Sequence, residues 1–146
     1  MPGNPVTYQR LPPQLVAFIA ARIDRREEIL PLFERLKAGC CEFIRGEAMA
    51  IFHGGAVKEG FLIDAAYPVS RLVESGEIHT RTLEAVPALS MLHQGSHDTI
   101  RETILKIHSH LSQHALTTSL FRREIYRVFN VNHPEENITE VQMVLH

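Results

Sequence analysis

The sequence predicts an α+β fold made by duplicating a β-β-α-β-β unit, and three observations carry that expectation. Short apolar segments of strand character alternate with two stretches of helical periodicity. The order strand, strand, helix, strand, strand occurs twice along the 146 residues. Residues of like character fall at nearly constant spacing: Leu11 with Leu83, Phe52 with Tyr126 and Asp64 with Glu140, at separations of 72, 74 and 76. Short loop insertions produce such a drift. A repeat of this size implies two small sheets, each carrying a helix, around a pseudo-twofold axis with a central ligand cleft. The chain, 1–146, is therefore expected to be a single domain with pseudo-repeats at about 6–70 and 78–146.

In the first half, Val6–Arg10 and Leu15–Ala21 read as extended, parted by Leu11-Pro12-Pro13, because paired prolines cannot join a sheet interior. Ile29, Leu32, Phe33 and Leu36 then recur at helical spacing within Arg26–Lys37. Pro31 is tolerated if that helix starts near Glu28, less readily if Asp24 is its cap. Gly39 is the expected stop. Ala48–Phe52 and Gly60–Ile63 read as strands around the loop His53-Gly54-Gly55.

In the second half, His79–Glu84 and Ala88–Leu92 are strands parted at Val86-Pro87. Thr99–His114 is the strongest helix, with Ile100, Ile104, Ile107 and Leu111 on one stripe and Asp98 as the expected N-cap. Arg122–Phe129 and Ile138–Leu145 close the half, separated by the turn-rich Asn130–Asn137.

Composition excludes several classes of function. Hydrophobic residues make up 45% and charged residues 22%, values of a globular chain, not a disordered one. A formal charge of −2 supplies no basic field for nucleic acid. The few residues before Val6 leave no room for a helix-turn-helix, so direct DNA binding by this chain is not expected. No stretch approaches the roughly 18 apolar residues of a membrane span, and Met1-Pro2-Gly3-Asn4-Pro5 lacks the order of a signal peptide. Cys40 and Cys41 are adjacent and supply neither a disulfide framework nor a zinc site. A soluble, cytoplasmic unit with no membrane association is the expectation.

Candidate chemistry is sparse. Of 9 histidines, His93/His97 and His110/His114 share the i, i+4 spacing of a helical metal pair. Only the second pair falls on the expected helix, and His108, His110 and His114 read as solvated or half-buried flanks of its apolar stripe. No metal is expected, and no phosphate-binding glycine motif or nucleophile elbow points to a cofactor or catalytic serine. Arg122 and Arg123 read as solvated surface. Glu124 is more informative. Period-2 alternation puts Arg122, Glu124, Tyr126 and Val128 on one face of a strand and Ile125, Arg127 and Phe129 on the other. Its repeat partner is Ala50, so the carboxylate is unmatched in the first half. Pattern alone favours an ordinary surface glutamate; the competing role is acceptor for a cation or hydrogen-bonding ligand.

The segment Leu83–Ile100, with Pro87-Ala88 and His93-x-Gly95-x-His97 before a helix, resembles the GyrI-like, effector-binding domain family. Arg123-Glu124-Ile125-Tyr126, Ile138–Leu145 and Phe61–Val69 agree with it in order and spacing, so the resemblance spans about Val6 to Leu145. It implies two SH2-like β-β-α-β-β motifs around a ligand cleft. Members are drug- or effector-sensing parts of bacterial transcription activators, often behind a DNA-binding domain, and also occur alone as small-molecule-binding or gyrase-inhibiting proteins. The family's buried pocket glutamate matches Glu124, and the aromatic two residues later matches Tyr126. With that match a pocket role overtakes the surface one.

Departures are plain: there is no tryptophan, aromatics total 7%, and His97 stands where a tyrosine is common. The pocket is therefore expected to be walled by Phe, Tyr, Met and aliphatics, with Glu124, Tyr126, Phe52, Tyr67 and Phe18 as ligand-binding candidates and Glu140 in support. The expected function is binding of a small effector, drug-like and of lipophilic cationic character, by a domain of the transcriptional-regulator type that lacks its own DNA-binding domain, without catalytic residues or cofactor. The alternatives are a small hydrolase of electrophiles using Glu124, or a gyrase-inhibitor-like interaction module. Beyond the small-molecule ligand, the expected partner is another protein chain or a second copy in a homodimer.

Overall fold

Apolar runs too short for helices become strands, and the two 3.6-periodic stretches become helices. The computed structural model describes residues 4–53 and 60–146. The strands are β1 (Thr7–Leu11), β2 (Gln14–Ile23), β3 (Met49–His53), β4 (Phe61–Pro68), β5 (His79–Leu83), β6 (Val86–Gln94), β7 (Thr118–Val128) and β8 (Ile138–Leu145). The helices are α1 (Ile29–Cys40) and α2 (Ile100–Gln113). No helix of the described residues is long and apolar enough to cross a membrane.

The chain divides into two compact units, and they do not coincide with the sequence repeats. One is Pro12–Ala85; the other joins Met1–Leu11 to Val86–His146. The first has strand order β3-β4-β2-β5 and the second β1-β6-β8-β7, all antiparallel. Each repeat has thus given its first strand to the other unit: β1 edges β6, and β5 edges β2. The linkers explain the trade. A two-residue hairpin needs positive φ in its turn. Pro12-Pro13 is locked near −65° and Glu84-Ala85 offers no glycine or asparagine, so neither linker folds its flanking strands together.

The expected repeat is written in the hydrogen-bond register. Leu11 pairs with Val86 and Leu83 with Gln14, both pairs related by a shift of 72. Val16↔Pro68 recurs as Ala88↔Val144, and Ala50↔Ala65 recurs as Glu124↔Val141. The buried helix positions repeat as well: Ile29, Leu32, Leu36 and Cys40 on α1 against Ile100, Thr103, Ile107 and Leu111 on α2. In the second unit this stripe packs on Leu89, Met91, Val141, Met143 and Leu145, with Val6 and Ile104 at the margin.

Several boundaries differ from expectation. A 3-10 turn over Arg26–Glu28 precedes α1, so Pro31 is the third helical residue, where no intrahelical donor is lost. Gly39 does not stop α1, which runs on to Cys40 and breaks at Cys41 with φ 41°. Gly39 faces Ile78, whose Cδ1 would stand 2.5 Å from a Cβ added there. The second helix is entered through a 3-10 turn over His97–Thr99, and its cap is Ser96, whose Oγ accepts from Asp98 N at 3.1 Å. Gly54 and Gly55 of the expected glycine loop lie outside the described residues.

Candidate ligand-binding site

Antiparallel partners share a face, so the register decides where each candidate points. Glu124 pairs with Val141, Arg122 with Met143 and Tyr126 with Thr139. Val141 and Met143 lie under α2. Glu124 and Tyr126 therefore occupy the helix-bearing face of the second unit, and Arg122 shares it.

Glu124 is fully buried, at 0% exposure. Tyr126 Oη donates to its Oε1 at 3.1 Å, and Arg122 Nη2 donates to its Oε2 at 3.3 Å. Arg122 is half-buried, its side chain 21% exposed, and Arg123 is buried. The alternation that put Arg122 beside Glu124 already held this information. A ring cluster adjoins the carboxylate. His97 lies 5.3 Å from Tyr126 and stacks on Phe129 at 5.8 Å, while Tyr126 and Phe129 meet edge-on at 6.0 Å. His97 Nε2 is held 2.9 Å from Oγ1 of buried Thr139. Strict alternation had assigned Phe129 to the far face. A register shift between Tyr126 and Val128 inserts an extra residue and brings Phe129 beside Tyr126.

Glu140 belongs to the opposite face. It pairs with Leu92 and Ile125, and receives Gln142 Nε2 at 2.6 Å, Arg127 Nη2 at 2.8 Å and Gln9 Nε2 at 3.2 Å. Burial pushes its pKa upward, but the hydrogen bonds from Gln142, Arg127 and Gln9 outweigh that and hold the carboxyl below its ordinary value. An open depression of about 250 Å³ lies on this side, between Asn4, Thr7, Gln9, Ser90, Leu92 and Glu140. The first unit repeats the arrangement at Asp64, which meets Arg81 Nη2 at 2.6 Å and His53 Nε2 at 2.8 Å.

The remaining candidates lie in the first unit. Phe52 and Tyr67 share its helix-bearing face. Phe52 meets Phe61 edge-on at 5.9 Å, with the Arg26 guanidinium 5.4 Å above its ring. Tyr67 is a core residue packed 5.7 Å from Phe33 of α1; burial, then the Glu34 charge, raises its pKa. Phe18 takes the other face, under the Arg81 guanidinium at 4.7 Å.

His93 is engaged in internal hydrogen bonds through both ring nitrogens. It is buried, with Nδ1 2.7 Å from Thr103 Oγ1 and Nε2 2.9 Å from the Ser96 carbonyl, tying β6 to the start of α2. Among the described residues, His133, Glu135 and Glu136 form an exposed donor cluster on the turn before β8. Cys40 is buried, and desolvation, then Cys41, raises its thiol pKa.

No family model matches the chain, and no curated protein matches its sequence. Solved structures do match in fold. The C-terminal domain of EcmrR gives a TM-score of 0.84 at 15% identity, over 98% of both chains. EcmrR in a complex with DNA gives 0.87 at 16% identity, over 98% of this chain and 57% of that chain. SAV2435 bound to tetraphenylphosphonium gives 0.68 at 14% identity, over 97% of this chain and 94% of that one. A hydrolase from Listeria innocua gives 0.77 at 10% identity, over 100% of this chain and 94% of that one. The strand and helix order described above, with its duplicated register, is thus the GyrI-like α+β fold that the sequence resemblance implied.

Proposed function

We propose that this chain is a small-molecule-binding domain of the effector-sensing type, and that its ligand is a lipophilic cation received at Glu124. One observation carries the reading: a carboxylate with no exposed surface stands on the helix-bearing face where the other repeat has Ala50. A buried anion is costly unless compensated, so a ligand that brings positive charge gains more there than at a solvated glutamate. Tyr126, His97 and Phe129 supply ring surface for its apolar and cationic parts. Two structural neighbours fit this reading: SAV2435 holds tetraphenylphosphonium, and EcmrR is a DNA-complexed protein of which this chain matches about half. On that basis the domain reports ligand occupancy to a transcription regulator, with DNA contacted by other parts or other chains.

Isothermal titration with tetraphenylphosphonium tests the proposal. Glu124→Gln keeps the shape and removes the charge, so affinity should fall at least tenfold, about 1.4 kcal/mol. Equal affinity in the folded variant would remove the carboxylate from recognition.

A further inference from the structure

We infer that the depression on the far face of the second unit is a second binding site, shaped for a single planar ring that carries N–H donors, an aryl amidine or aryl amine. It lies on the face opposite Glu124 and is independent of the ligand proposed there. The inference starts from equivalent positions of the two repeats. In the first unit Phe18 pairs with His79 and Val16 with Arg81. In the second unit the same two rungs hold Ser90 with Thr7 and Ala88 with Gln9. Phe18, His79 and Arg81 are thus matched by three smaller side chains, Ser90, Thr7 and Gln9.

In the first unit the large residues cover this surface themselves. The Phe18 and His79 rings lie 6.2 Å apart, and the Arg81 guanidinium caps Phe18 at 4.7 Å while it reaches Asp64. In the second unit a hydroxymethyl group stands in place of the benzyl group. The depression of about 250 Å³ opens against Ser90, between Asn4, Thr7, Gln9, Leu92 and Glu140. Gln142, larger than the Ala66 it matches on the same rung, turns its amide to Glu140 at 2.6 Å and leaves the depression open. A cavity of about 150 Å³ takes benzene, so this one has room for a ring with one substituent. Exposed Leu92 supplies apolar surface for the ring.

The polar groups of the wall specify the substituent. Gln9 Nε2 donates to Ser90 Oγ at 2.7 Å and to Glu140 Oε2 at 3.2 Å, which directs the amide oxygen away from both. Gln142, Gln9 and Arg127 donate to Glu140, whereas an ionised carboxylate offers about four acceptor positions. The wall therefore has acceptors to offer, and Glu140 is the ionisable side chain on it. A ligand N–H gains a charge-assisted hydrogen bond there. A ligand carboxylate meets a like charge, with no cationic side chain lining the depression to receive it.

The test uses the full chain and three probes: benzamidine; acetamidine, which lacks the ring; and benzoate, which keeps the ring and exchanges the donors for an anion. Benzamidine should bind with backbone amide NMR shifts centred on Thr7, Gln9, Ser90 and Leu92. Acetamidine and benzoate should each bind about tenfold more weakly or not at all. Ser90→Phe installs the residue that the other repeat carries at this rung, so it should fill the depression and abolish benzamidine binding. Glu140→Gln should weaken benzamidine about tenfold, and with the shift map it decides the matter if Ser90→Phe does not fold. Any of four results overturns the site: no benzamidine binding, shifts centred on Tyr126 and Phe129 instead, acetamidine or benzoate bound as tightly as benzamidine, or unchanged affinity in folded Ser90→Phe or Glu140→Gln. The Glu124 reading has its own probe and variant, and it survives failure here.

Discussion

A carboxylate placed for a ligand should cost the empty protein stability, and Glu124→Gln measures that cost. The wild-type side chain is fully buried, and an ion taken from water carries an effective penalty of several kcal/mol. Contacts with Tyr126 and Arg122 repay part of it. The Tyr126 hydrogen bond at 3.1 Å contributes about 1.5 kcal/mol, the lower end for a charged acceptor. The Arg122 contact at 3.3 Å is long enough to be taken at about 1 kcal/mol. Glutamine keeps an oxygen for the tyrosine, losing about 0.5 kcal/mol there and about 1 kcal/mol at Arg122, which turns to water. Against that loss of roughly 1.5 kcal/mol stands the desolvation penalty removed, so the variant should be more stable by about 1 kcal/mol. For a chain of this length that raises Tm by roughly 3 °C. Urea unfolding followed by circular dichroism, with a thermal scan, reads both quantities. If Glu124→Gln is instead destabilised by about 2 kcal/mol or more, the carboxylate is a structural keystone and the reasoning fails.

Three further outcomes follow from the packing. Ile107, fully buried on the inner face of α2, should cost about 3–4 kcal/mol when cut to alanine, and a loss below about 1 kcal/mol would mean α2 is not seated as described. Gly39→Ala sets a new methyl 2.5 Å from Ile78 Cδ1 and should forfeit the roughly 1 kcal/mol that alanine gains over glycine inside a helix; Ile78→Val, which deletes that atom, should restore the gain, and a double-mutant cycle with no coupling would refute the contact. Glu140 has its folded pKa held below the ordinary value, so the stability it supplies is present above its unfolded pKa of about 4.3 and lost as pH falls through the folded one. Glu140→Gln should flatten the acid limb of the stability curve, and superimposable acid unfolding of variant and wild type would show that the network around Glu140 contributes nothing.

Much of this was legible from residue order because duplication doubles the signal. The separations read at Leu11/Leu83, Phe52/Tyr126 and Asp64/Glu140 are those of the hydrogen-bond register, and the face of Glu124 followed from period-2 alternation. What was not legible involved long-range choices or local irregularity. Pattern shows that β1 and β5 are strands, but not that each edges the other repeat's sheet. Phe129 was misplaced by a bulge that alternation cannot register. Residue type alone groups Phe18 and Glu140 with Glu124, whereas strand parity sets Glu140 on the opposite face of its sheet and Phe18 on the face away from Phe52 and Tyr67. Charge alone points Arg122 to solvent, whereas strand alternation sets it on the face of Glu124.

A duplicated fold also carries its own control: what recurs in both units is what the scaffold requires, and what does not recur was free to serve something else. The far-face carboxylates recur. Asp64 with His53 and Arg81 occupies the rungs of Glu140 with Arg127 and Gln9, one donor arriving each time from an adjacent strand and the other from the edge strand one further out. The capped ring recurs as well, since Arg26 over Phe52 at 5.4 Å matches His97 against Tyr126 at 5.3 Å. These pairs hold the sheets and the helix entries in place, and a ligand is not needed to explain them. The helix-bearing face differs at three equivalent positions, where Ala48, Ala50 and Ile63 of one repeat stand against Arg122, Glu124 and Thr139 of the other. The apolar version shows that the fold stands without an ion pair there. An ion pair kept at a site the scaffold fills with methyl groups is a cost with no structural return. Under the proposed function ligand recognition would supply the return, and the polar set rather than the recurring aromatics should then govern what this domain binds.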